Sequence, residues 1–191
     1  ILQTGGSGAN PSWIDNSGGL IQTANAFKID KQSFNYNSGR VVVSGLNVTL
    51  PNAVDSNSKL FITGHLTLGG QQDGDPGVAP RWEYSTDNST WSEIQRTTHI
   101  TSGHAGADAN SNVGNSAGYD GWLNNEDVKH ASWSTMCSAS DVSQARYYRV
   151  TVRQTDSSNH SVVVNSNYGG TASTGYAPSG NSSLVVMEMG V

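Results

Sequence analysis

The sequence predicts an all-β protein, an antiparallel β-sandwich or jelly roll carrying an extended N-terminal arm. Three observations point there. Ser, Asn, Gly and Thr dominate a chain with 22 glycines and only 13% charged residues. Few stretches combine the Ala, Leu, Glu and Lys that long helices favour. Short runs of alternating apolar and polar residues recur along the chain, separated by turn-forming clusters. At 191 residues the chain suffices for one domain with a real core, or a domain plus an arm.

Residues 1–26 are rich in Gly, Ser and Asn with isolated apolar anchors, so they cannot build a core of their own. They are expected to lie on something else as an arm, gripping it through Trp13, Leu20 and Ile21. The domain is expected over 27–191. Phe27–Ile29 and Ser33–Tyr36 read as one hairpin. Arg40–Leu50 reads as a half-buried strand with Gly45 at a bulge. Lys59–Leu68 alternates cleanly: Leu60, Ile62, Leu66 and Leu68 share one face; Phe61, Thr63, His65 and Thr67 share the other. Arg81–Tyr84 and Trp91–Ile94 flank a turn, and His99–Thr101 is a further short strand. His130–Cys137, Ala145–Arg153 and Ser161–Val164 complete the interior strands. Ser102–Asp127 and Asn165–Ser182 are long polar loops, of a length usually functional or packed on a partner.

The last stretch, Ser183–Val191, is the most uniformly apolar in a polar chain. It reads as a closing strand with Leu184, Val186 and Glu188 on one face and Val185, Met187 and Met189 on the other. One face then needs a sandwich core; the other needs a second sheet or a neighbouring subunit. A buried Glu188 needs a partner, because an unpaired buried carboxylate is costly. Arg149 and Arg153, on one face of their strand, are the expected candidates, within or between chains.

Several chemistries find little support. Net charge is −5 and the ten basic residues are scattered, which argues against a nucleic-acid surface. No apolar run reaches membrane-spanning length. The chain opens Ile-Leu-Gln with no basic segment before an apolar one, so a signal peptide is expected to be absent or already removed. The single Cys137 excludes an intrachain disulfide framework and reads as a small buried hydrophobe. Ser85–Trp91 resembles the Asp-box turn of sialidase-type propellers, but occurs once and without a blade-length repeat. Its content is a turn in which Asp87 caps its own backbone, with Trp91 packed beneath. His99, His104, Asp108 and His130 lack the spacing of a metal site. Asp73–Asp75 and Asp108–Asn112 place oxygens alternately, without the twelve-residue loop of a calcium site. Asp120 reads as a turn residue, and nothing pairs it with Glu126 or Asp127 as a glycosidase would require. No catalytic residue, metal or cofactor is assigned.

Lys59-Leu-Phe-Ile-Thr-Gly-His-Leu66, Arg146-Tyr-Tyr-Arg-Val-Thr-Val152 and the ending Ser183-Leu-Val-Val-Met-Glu-Met189 together resemble the TNF/C1q-like jelly-roll domains of tailed-bacteriophage fibres and capsid-decorating proteins. The resemblance covers 27–191 by strand order and loses detail in the two long loops. It implies a homotrimer with the last strand near the three-fold axis, and a role in binding rather than catalysis. It further implies a virion structural protein at the virion surface, as capsid decoration, cement or fibre tip. The partners would be the major capsid protein or other virion proteins, with a host-surface glycan as a further one. Arg149, Arg153, Val185, Met187, Glu188 and Met189 would then line the trimer interface, and Trp13, Leu20 and Ile21 would hold the virion. Tyr119, Trp122, Tyr168 and Tyr176 would face outward on loops. Two rivals remain: a monomeric glycan-binding module using those loop aromatics, and a glycan-degrading tail enzyme.

Overall fold

The structure, a computed structural model, describes residues 2–3, 12–13, 18–34, 40–70, 78–94, 129–154, 161–166 and 180–191. Within them the strands are β1 Leu2–Gln3, β2 Ser12–Trp13, β3 Leu20–Lys28, β4 Gln32–Phe34, β5 Arg40–Thr49, β6 Lys59–Gly70, β7 Val78–Ser85, β8 Ser92–Glu93, β9 Lys129–Ser138, β10 Tyr147–Gln154, β11 Val162–Val164 and β12 Ser182–Met189. The described residues include one 3₁₀ turn, Ala139–Val142, and no α-helix. Every pairing is antiparallel.

Two sheets make the sandwich. The smaller runs β5-β10-β7-β8; the larger runs β3-β12-β6-β11-β4, with β9 also paired to β6. Their inner faces share one core. Leu60, Ile62, Leu66 and Leu68 of β6 and Leu184 and Val186 of β12 face Val43, Leu46, Tyr148, Val150 and Trp82 of the smaller sheet. The expected all-β sandwich is the fold observed.

Local sequence explains the better-formed strands. On β6 the four leucine and isoleucine positions are fully buried, as the alternation requires. Gly64 sits among them because Trp82 of β7 occupies its space: a Cβ there would lie 2.1 Å from the indole nitrogen. Trp82 continues across onto Trp133 of β9, stacked at 5.0 Å. Gly45 has φ 79 and lies where β5 breaks register with β10, which makes it the bulge the strand pattern suggested. The β7–β8 turn is tied by Asp87, whose Oδ1 accepts from the Ser89 and Thr90 amides at 2.8 Å each and from the Ser85 hydroxyl at 2.9 Å. Those bonds hold the Asp87 carboxyl far below the usual carboxylate range. The Trp91 ring lies 4.0 Å from the Arg149 guanidinium. Cys137 is buried, and burial pushes its thiol up to about 11.

Two expectations are corrected. Residues 20–26, read as part of the arm, form most of β3, an edge strand paired along its length with β12. Its inward positions are Gln22, Ala24, Ala26 and Lys28, so no apolar alternation announces it. The segments around Phe27 and Ser33 do not form a hairpin: β3 pairs with β12, and β4 with β11.

Candidate assembly face

Parity along each strand decides which side chains leave the core. On β12 the buried set is Ser182, Leu184, Val186 and Glu188; Ser183, Val185, Met187 and Met189 point away from the core and are half-buried. Register extends this across the sheet. Met187 stands opposite Thr23 of β3 and Phe61 of β6, and Phe61 stands opposite Met136 of β9. The row Met187–Phe61–Met136 therefore crosses three adjacent strands. The next row reads Asn25–Val185–Thr63–Ser134, and the one after it Phe27–Ser183–His65–Ser132. On the other side Met189 is opposite Lys59.

The composition of this outward face is unlike that of the chain. It carries all three of the protein's methionines. Met136 is 54% exposed and Phe27 65%. Its one described charge, Lys59, donates to the Ser138 hydroxyl at 2.6 Å. Methionine is flexible and polarizable, suited to surfaces that must mould against a partner.

At one end of the face lies a polar knot. The His65 and His130 rings stack at 5.2 Å with 21° between planes. Thr67 sits between them, its hydroxyl 3.2 Å from His130 Nδ1 and 3.5 Å from His65 Nε2, and donates to the Asn181 carbonyl at 2.9 Å. The Thr67 amide donates to the Ser182 hydroxyl and its carbonyl accepts from the Asn165 amide. Ser182 in turn donates to Asn165 Oδ1 at 2.6 Å. Burial, and then the His130 imidazole, push His65 below its ordinary value.

The residues predicted to line the interface divide. Val185, Met187 and Met189 share the outward face. Glu188 does not: it is 1% exposed and points into the core. Its carboxylate accepts from Gln22 Nε2 and from the Asp55 amide, the latter at 2.8 Å, so its partners are amides rather than an arginine. Gln22 also accepts from the Asn52 amide at 2.8 Å, so the pair clamps the 52–55 turn to β3 and β12. Arg149 instead donates to Glu83 Oε2 at 2.7 Å. Arg149 and Arg153 belong to β10 of the smaller sheet and turn away from Glu188 on the far side of the core. The expected meeting of Arg149 or Arg153 with Glu188 is not made inside one chain: Glu188 accepts from Gln22 and the Asp55 amide, and Arg149 pairs with Glu83.

Phe61 and Met136 also belong to this outward face. Their strands were identified, and parity placed Phe61 away from the core, but only register brings both beside Met187. Of the predicted attachment residues, Leu20 and Ile21 are exposed at 59% and 55%, beside the register break where Met189 pairs. Trp13 lies in β2, paired with Leu2. Tyr119, Trp122, Tyr168 and Tyr176 lie outside the described residues, as do His99, His104, Asp108, Asp73, Asp120, Glu126 and Asp127. Among the described residues no group of three His, Cys, Asp or Glu side chains could hold a metal ion together.

No protein-family profile and no curated protein matches the sequence. Solved structures do. A chain in the structure of infectious bursal disease virus Gx strain is similar over 100% of this chain and 43% of its own, with TM-score 0.44 and 14% identity. The crystal structure of the infectious bursal disease virus VP2 subviral particle is similar over 100% and 43%, with TM-score 0.42 and 11% identity. The T=1 particles derived from that virus give 100% and 41%, with TM-score 0.44 and 11% identity. The chain spans about two fifths of the length of these structures. At such identities and scores the likeness says nothing of function.

Proposed function

We propose that this protein is a virion structural component that works by assembly, with copies meeting as a homotrimer through the outward face of the larger sheet. The observation that carries the reading is the Met187–Phe61–Met136 row with Val185 and Met189 beside it, on a face with one described charge. In a chain of net charge −5, a face with no described carboxylate lets copies approach without the repulsion of like negative charges. Burying flexible thioethers around one aromatic ring supplies apolar area with a shape that adapts.

The finer reading follows the sequence resemblance: a tailed-phage capsid decoration or cement protein, or a fibre tip, at the virion surface. Trp13, Leu20 and Ile21 would contact the major capsid protein or another virion protein. Three such contacts on one trimer would act as one attachment, since linked weak contacts gain avidity.

Light scattering on the full chain tests this. The expected mass is three times 20.1 kDa, and Phe61→Asp is expected to fall to the single-chain mass with an unchanged β-sheet circular dichroism spectrum. A wild-type monomer at high concentration, or a trimer indifferent to Phe61→Asp, would refute the proposed face.

A further inference from the structure

The stacked histidines lie on the same outward face as the methionine row, His65 two rows beyond it and His130 three. Their hydrogen bonds assign their protons. Because the Thr67 hydroxyl donates to the Asn181 carbonyl, it accepts from both rings, so His65 Nε2 and His130 Nδ1 each carry hydrogen. Neutral His65 then accepts from the Ser132 hydroxyl at Nδ1, at 2.9 Å. In this arrangement every shared hydrogen bond is used with His65 neutral. A proton added to His65 must go to Nδ1, where Ser132 has to turn its hydroxyl round. A proton on both rings sets two positive charges about one stacking distance apart.

No described carboxylate relieves that charge. From β9 the pair is faced by Ser132 and the other histidine, with Lys129 next in sequence; from β12 by Ser183, with Asn181 just before that strand; β11 offers only valines. On β6 itself the nearest charge is Lys59, three rows away. Of the carboxylates on strands packed nearby, Glu188 points into the core, and Asp30, just past β3, is paired with Lys28.

We propose that His65 and His130 are an acid-sensing pair whose protonation loosens the Thr67 knot and weakens the association of copies through the adjoining face. This rests on the assembly reading above. The knot ties β6 to the start of β12, to β9 and to the end of β11, and β12 and β9 carry Met187 and Met136. Gly180 belongs to it too, since a Cβ there would lie 2.3 Å from Thr67. The sign is fixed by the depressed value of His65. Above the ordinary 6.5 the imidazole is neutral folded or unfolded, and stability is complete. As pH falls below 6.5, the unfolded chain takes up a proton that folded His65 resists, and stability is lost progressively.

The full chain, with His130→Gln and His65→Gln variants, is followed by light scattering and thermal melting from pH 7.5 to 5.0, and by NMR of the imidazole C–H protons. Glutamine keeps a neutral donor near the Thr67 hydroxyl at every pH. The expected result is loss of the assembled mass and a falling melting midpoint in wild type, with at least half of that pH dependence gone in His130→Gln. The His65 resonance is expected to titrate at higher pH once His130 is replaced. If wild type is monomeric throughout, the assembly reading fails, while the NMR shift and the midpoint still test the pair. Identical pH dependence in wild type and His130→Gln, or a His65 resonance unmoved by the replacement, would overturn the proposal.

Discussion

The two outer faces of the sandwich solve the same problem in opposite ways. The smaller sheet turns out Arg40, Arg81, Arg149 and Arg153 with Glu83 and Glu93, and closes them on one another. Arg149 and Thr151 both donate to Glu83, Arg81 pairs with Glu93 at 2.8 Å, and Trp91 covers the Arg149 guanidinium. Burial, and then the neighbouring Arg81, push Arg40 down to about 10. The larger sheet turns out Met187, Phe61, Val185 and Met189, half-buried, and Met136, which is exposed. One face is held by specific ion pairs and hydrogen bonds; the other is a row of apolar side chains with a single described charge, Lys59. A charged surface need not be a binding surface, and an apolar one rarely stays bare.

Breaking the ion-paired face should cost the most. Glu83→Ala leaves Arg149 and Thr151 without their acceptor in a nearly buried position, and we expect about 3 kcal/mol lost in chemical denaturation, with the assembled mass unchanged. A drop in mass would place the smaller sheet in the interface and reverse the comparison. Met187→Ala acts on the other face. Association should weaken roughly tenfold, about 1.4 kcal/mol, read from the concentration dependence of the scattered mass. Arg149→Lys keeps the charge but loses the planar stack on Trp91 and the geometry at Glu83; about 1 kcal/mol of fold stability should go. Met136→Ser is expected to cost the isolated fold only a few tenths of a kcal/mol, because the side chain is largely exposed already. Its effect should appear in association instead, and a chain that melted much earlier would show Met136 to be core.

The legible parts of this molecule are those where one strand's pattern suffices. Lys59–Leu68 alternates, and its inward leucines and isoleucine are where the pattern puts them. The closing strand likewise divides into the two faces its residues imply. What a single strand cannot tell is which sheet it joins and which way that sheet's outside looks. Arg149 and Glu188 are both polar interruptions on apolar strands, and pairing them is chemically reasonable. Parity sends Arg149 out of one sheet and Glu188 inward from the other, so a whole core separates them. Glu188 finds Gln22, on a strand whose inward residues are too small and polar to advertise burial. Phe61 and Met136 were hidden for a related reason: a face is a property of register between strands, and register is not written in either strand alone.

Pairing β3 with β12 has a consequence in time. Gln22 and Glu188 are 166 positions apart, yet each is buried against the other. On the ribosome, β3 emerges early and must wait, its edge unpaired, until almost every later strand has been made. Loop closure over such a separation is slow to form and is rewarded only at the end. The methionine row is assembled in that same last step, since Met187 arrives with β12. An incomplete chain therefore lacks the Met187–Phe61–Met136 row until synthesis has passed Met187.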